Sequence, residues 1–117
     1  MDDLRTKRCQ PCDGRTPRLD HAAIMALAPQ IPSWIVADDR LQRHITFDGF
    51  LDAIRFIDRM AELAEAEDHH PDFCVHYRKV DVTLWTHAVG GLSENDFILA
   101  AKIDRLLERG GARSDGA

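Results

Sequence analysis

The sequence predicts an α+β domain: a four-stranded antiparallel sheet with three helices on one face, in the order α-β-β-α-β-β-α. Three observations carry that prediction. Helix signals occur in three separate segments, alternating apolar and polar residues occur in two pairs of short runs, and turn or capping residues stand between them. Helices and hairpins in this order bury their apolar faces against each other as two layers.

The first helix is expected over D-H-A-A-I-M-A-L-A, with Asp20 as its capping residue and Pro29 near its end. The runs S-W-I-V-A-D and R-L-Q-R-H-I-T-F, split by Asp38-Asp39, read as a hairpin. Leu41, Ile45 and Phe47 point one way along it, and Gln42, His44 and Thr46 the other. From Asp48 the spacing becomes helical, with Phe50, Ile54, Ile57, Ala61 and Ala64 on one face as far as about Glu67. A second hairpin follows, F-C-V-H-Y-R and V-D-V-T-L-W-T-H, with Phe73, Val75 and Tyr77 facing the same way as Val80, Val82 and Leu84 across a tight turn at Arg78-Lys79. In L-S-E-N-D-F, Ser93 can cap a closing helix, Asp96 stands at its third position, and Leu92 with Phe97 can staple its start. That helix stops at Gly110. The domain therefore spans residues 19–109, between a flexible N-terminal arm over residues 1–18 and a disordered tail over residues 110–117.

Composition narrows the function classes. A chain of 117 residues, 44% hydrophobic and 30% charged, is that of one ordinary globular domain. No run approaches a membrane helix, and M-D-D-L-R lacks the layout of a secretory signal, so the expected location is cytoplasmic. A net charge of -5 argues against nucleic acid as a partner, although Arg5, Lys7, Arg8, Arg15 and Arg18 make the first segment locally basic. The 3 cysteines read as free thiols. Cys9 and Cys12 have the spacing of half a zinc site or of a redox pair, which Cys74 or a histidine could complete, against the plainer reading of a reduced arm.

The stretch E-D-H-H-P-D-F lies between the long helix and the second hairpin, where packing alone does not call for two histidines and a proline. If Tyr77 pairs with Val80, His70 falls opposite His87, and His69, His70 and His87 gather at one end of the sheet. Pro71 restricts His70 to extended geometry, and an irregular junction lets adjacent side chains border one cleft. Such a cluster suits proton transfer, because near neutrality one imidazole can donate while another accepts. Glu65 and Asp68 could orient a ring. Two other readings stay open: histidines that merely favour the negative end of a helix, and metal ligation, for which no fourth ligand is evident.

The run E-x-x-x-H-H-P, an aromatic-bearing strand, K-V-x-V-T-L-x-T-H, G-G-L-S-x-x-D and a closing helix resemble the signature of the pterin-4a-carbinolamine dehydratase family. The resemblance covers nearly the whole chain, including C-x-P-C and Trp34. It implies the family's fold and its reaction, dehydration of a 4a-hydroxytetrahydropterin to quinonoid dihydropterin in tetrahydrobiopterin recycling. It also implies that no metal or redox cofactor is needed. By the same match, His69, His70 and His87 carry the acid and base work, with His70 as the main player. Pro71, Thr86, Ala88 and Val89 match pterin-contacting positions, and Glu65 and Asp96 match motif acids, Asp96 being equally well explained as a helix cap. Trp34 reads as core or as a pterin-lining residue. The implied partners are the pterin, a second or further copies of the chain in a homodimer or homotetramer, and an aromatic amino acid hydroxylase in the same pathway.

Trp85 departs from the pattern, standing where a small polar residue is expected; it can sit in a subunit interface or border the site. His76, Arg78 and Asp81 share its face and read as cross-strand polar pairs, while His21 and His44 read as surface residues. The rival function is a non-catalytic dimerisation or protein-binding module on the same scaffold, which would have no reason to keep three converging imidazoles.

Overall fold

The structure is a computed structural model that describes residues 3–10, 17–110 and 113–114. Its elements are α1 (His21–Leu27), β1 (Ile35–Ala37), β2 (Arg40–Thr46), α2 (Phe50–Glu67), β3 (Asp72–His76), β4 (Lys79–Leu84), α3 (Glu94–Gly110) and β5 (Arg113–Ser114). The sheet runs β1-β2-β4-β3, all antiparallel, with β5 beside the far end of β2. β5 falls where the sequence suggested only a tail; residues 1–2, 11–16, 111–112 and 115–117, the rest of the expected arm and tail, lie outside the described residues.

Local chemistry accounts for each boundary. Asp20 accepts the Ala23 N–H at 2.8 Å and so caps α1, which passes into a 3-10 turn at Ala28–Gln30. Asp38 and Asp39 both adopt positive φ, 53° and 56°, the left-handed pair that a two-residue hairpin requires and that aspartate tolerates. Asp68 ends α2 in the left-handed region, its N–H turned back to the carbonyls of Ala64 and Glu65.

Two expectations shift. The second hairpin turns at Tyr77-Arg78, not Arg78-Lys79, because Tyr77 takes φ 58° and His76 pairs with Lys79. The Arg78 carbonyl is then free to accept the Phe47 N–H at 2.9 Å, a tie to the end of β2 that lies outside the hairpin itself. Because the slip is an even number of residues in the pairing sum, Phe73 and Val75 still share a face with Val82 and Val80. The buried row of α2 is also rotated from the expected one: Ala53, Phe56, Met60, Ala64 and Glu67 face inward, and Phe50 is exposed. Phe56 meets Phe47 of the sheet, ring centroids 5.2 Å apart, and that contact sets the helix's roll.

One core joins the layers. Leu41, Ile45, Phe47, Val80, Val82 and Leu84 line the covered sheet face against Ala53, Phe56 and Met60 of α2 and Phe97, Leu99 and Ile103 of α3. Arg43 occupies the same inward row, 8% exposed, and is paired with Asp104 on α3, to which the Trp34 indole N–H also donates at 2.7 Å. Burial pushes the Asp104 carboxyl up against the opposing pull of Trp34 and Arg43.

Residues 3–10, assigned from sequence to a flexible arm, pack on the domain. Leu4 is 1% exposed, in a 3-10 turn that Asp3 caps, because its apolar side chain finds the core cluster open to it. Further on, the Cys9 N–H donates to Glu67 Oε1 at 2.8 Å, and Lys102 on α3 donates to Glu67 Oε2 at 2.9 Å. Burial alone would raise the Glu67 carboxyl, but Cys9 and Lys102 together hold it below its ordinary value of 4.5. A depressed folded value means that the stabilisation is present above 4.5 and is lost as the pH falls through the folded value. Thermal melts of wild type and Glu67→Gln as a function of pH should therefore show a gap that is widest above 4.5 and closes on acidification. A gap independent of pH would contradict the assignment.

Candidate active site

The end of α2 and the end of β4 meet at the start of α3. Asp96, at the third position of α3, is fully buried, and a buried carboxylate must be met by donors. Three reach it. His69 Nε2 lies 2.6 Å from Oδ1, while the Thr86 hydroxyl donates to Oδ2 at 2.7 Å and the Ser93 N–H at 2.9 Å. Since the Thr86 hydroxyl has only one hydrogen, the Ser93 hydroxyl, 2.7 Å from it, donates to Thr86. The capping box is therefore half formed. The Asp96 carboxylate reaches back to Ser93 as expected, but the Ser93 hydroxyl serves Thr86, and the Asp96 N–H finds the Ser93 carbonyl at 3.1 Å.

This one carboxylate serves both as a helix-start residue and as a partner of the histidine motif. A carboxylate only accepts, so His69 Nε2 carries a hydrogen, and the neutral ring has its lone pair at Nδ1. His69 is itself buried, 7% exposed. Its neighbour His70 is exposed, with Nε2 3.0 Å from Glu65 Oε1 one turn back on α2. Pro71 is half-buried between them and β3.

His87 opens a 3-10 turn, His87–Val89, that presents His87 and Ala88 to solvent with Val89 half-buried. The turn is closed by the Thr86 N–H to Gly91 carbonyl bond of 2.8 Å, and Gly90 supplies the positive φ of 65°. Trp85, half-buried, lies against His87 with ring centroids 3.6 Å apart.

This geometry revises some of the sequence expectations and bears out others, among them Trp34 as a core residue and His44 and Asp81 as polar surface residues. The ladder ends at Asp72↔Thr83, and its extension sets position 70 in line with Trp85 and not with His87. Asp68 orients no ring: its side chain is exposed, and the residue serves to end α2. Thr86, matched to a pterin-contacting position, is 1% exposed, with its hydroxyl committed to Asp96 and Ser93. Trp34 is part of the core, and its indole N–H goes to Asp104, eight residues or about 12 Å along α3 from Asp96. His44, read as a surface residue, pairs with Asp81 across β2 and β4 at 2.6 Å on the uncovered face. A cavity of about 670 Å³ lined by Gln30, Ser33, Arg43, Asp104 and Leu107 lies apart from the histidines. Among the described residues no group of three or more His, Cys, Asp or Glu side chains could hold a metal ion, and no helix is long and apolar enough to cross a membrane. Cys12 lies outside the described residues, and Cys9 is half-buried, its thiol 3.6 Å from the Asn95 carbonyl.

Sequence reasoning missed Asp72 and Arg40, which surround Trp85. Asp72 accepts the Trp85 indole N–H at 3.2 Å, and the Arg40 guanidinium lies 3.6 Å from the ring centroid. The parity of β4 and β2 places Trp85 and Gln42 on the uncovered face, but no pattern within one strand shows which cation meets the indole.

Residues 17–106 match the family model described as Pterin 4 alpha carbinolamine dehydratase. A protein of Rubrobacter xylanophilus named "Putative pterin-4-alpha-carbinolamine dehydratase" is 43% identical over 107 residues, covering 91% of this chain and 100% of its own. One of the same name from Nitrosospira multiformis is 43% identical over 108 residues, 92% of this chain and 96% of that protein. Among solved structures, a transcriptional coactivator/pterin dehydratase from Brucella melitensis superposes with a TM-score of 0.74 at 32% identity, over 77% of this chain and 98% of that one.

Replacing Asp96 by alanine removes the buried acceptor of the Thr86 hydroxyl, the Ser93 N–H and His69 Nε2, each loss costing about 1–3 kcal/mol. Chemical denaturation should show Asp96→Ala destabilised by roughly 3 kcal/mol. A loss below about 0.5 kcal/mol, the scale of an ordinary surface substitution, would mean that the carboxylate does not organise the site.

Proposed function

The chain belongs to the pterin 4 alpha carbinolamine dehydratase family, and we propose that it dehydrates a 4a-hydroxytetrahydropterin to quinonoid dihydropterin and water by histidine acid and base catalysis. The observation that carries this reading is the Asp96 carboxylate, which ties His69 at the end of α2 and Thr86, next to His87, after β4 to one point. Loss of water from the 4a carbon requires a proton on the departing hydroxyl and removal of the ring N–H proton. An acid and a base must therefore reach one small heterocycle from different sides. His70 and His87 are exposed and so accessible to a ligand, while His69 is held in a single orientation by Asp96.

In this mechanism His70 is the principal proton donor or acceptor, kept in orientation by Glu65, and His87 is its counterpart. His69 supports them from the buried side, its Nε2 held by Asp96. Pro71, Ala88 and Val89 border the pterin, and Thr86 contributes by holding Asp96. No step calls for a metal or redox cofactor. The product feeds tetrahydrobiopterin recycling behind an aromatic amino acid hydroxylase, in the cytoplasm.

The sheet's outer strands support a homodimer or homotetramer. Among the described residues β1 and β3 each have one unpaired edge along at least part of their length, and they carry exposed Ile35, Val36 and Phe73, which pairing with another copy would cover. Sedimentation at micromolar concentration should show an assembly; monomer alone would refute it.

The function is tested by stopped-flow decay of chemically generated 4a-hydroxytetrahydropterin, with chelator present. Wild type should accelerate the decay, and His70→Ala should lose about 10²–10⁴ of the rate while remaining folded. Full activity in His70→Ala would overturn the assignment, and no acceleration by wild type would favour a binding module on the same scaffold.

A further inference from the structure

Two of the three histidines have a carboxylate at the ring, Asp96 for His69 and Glu65 for His70. His87 has none. Its ring is exposed, and among the described residues neither nitrogen is bonded to a protein group. An exposed imidazole on a one-turn 3-10 segment would be free to change rotamer, yet catalysis by proton transfer needs it held. What lies against it is the Trp85 ring, tilted by 38° at a centroid distance of 3.6 Å.

Trp85 is fixed from two other strands. Asp72 at the start of β3 takes its indole N–H, and Arg40 at the start of β2 lies over its ring, as a guanidinium does on an aromatic face. We propose that Trp85, clamped by Asp72 and Arg40, is the positioning residue of His87 and does for that ring what Asp96 and Glu65 do for the other two. The small polar residue expected at this position could not supply such a surface. Among the described residues the charged groups that contact Trp85 are Arg40 from β2 and Asp72 from β3. The catalytic consequence rests on the dehydratase reading; the stack itself does not.

Two measurements separate them. In the dehydration assay Trp85→Thr should lower kcat about tenfold with KM changed less than about twofold, and Trp85→Phe should recover the larger part. Unchanged kinetics, or a raised KM at constant kcat, would overturn the proposal, the latter by making Trp85 a wall for substrate. Independently of activity, an imidazole ring against an indole quenches its emission. At fixed pH, His87→Gln should raise the tryptophan emission, and the same substitution made on a Trp85→Phe background should leave it unchanged. An emission unaltered by His87→Gln in the wild-type background overturns the stack. A His87-dependent emission in a wild-type protein without dehydratase activity would overturn the dehydratase reading and leave the stack standing.

Discussion

The burial of one carboxylate, Asp96, is the constraint on which the site depends. A buried ionised group is tolerated only if donors surround it, and here the donors come from three places in the chain: the end of α2, the segment after β4 and the start of α3. Meeting that demand brings His69 into the interior and fixes the backbone on either side of it. His70 and His87 then stand at the surface as neighbours in sequence of residues that cannot move. The positive end of α3 favours the same charge, so the helix start and the site stabilise each other.

α3 organises more than the site. Its apolar row, Phe97, Ile98, Leu99, Ile103 and Leu107, is buried in the common core, and polar residues on its flanks reach every other layer. Asp96 holds the histidine motif, Lys102 pairs with Glu67 at the end of α2, and Asp104 takes Arg43 of β2 with the indole of Trp34. Through Glu67 the N-terminal segment is tied in as well. These buried or half-buried contacts are directional where the apolar core is not, and so they fix how α3 sits on the sheet.

The three imidazoles meet three different environments. One is buried on a carboxylate, one is exposed beside a surface carboxylate, and one is exposed against an indole. Groups of one chemical type acquire different tasks in this way, because the orientation and accessibility of each ring are set by its neighbours and not by the ring itself.

Sequence by itself determined the element order, the α1 cap at Asp20, the Asp38-Asp39 hairpin, the alternating faces of β2 and β4, and the grouping of the His-His-Pro motif with the Thr-His segment. These follow from interactions among residues near in sequence and from the periods of helix and strand. Asp96 was legible both as a cap and as a motif acid. Only the tertiary structure decided the roll of α2, which Phe56 sets against Phe47, the turn at Tyr77-Arg78, which leaves the Arg78 carbonyl for Phe47, and the burial of Leu4. The partners of Trp85 belong with these. Arg40, Asp72 and His87 converge on it from separate segments, and side chains that meet only after the sheet has assembled leave no periodicity in the chain.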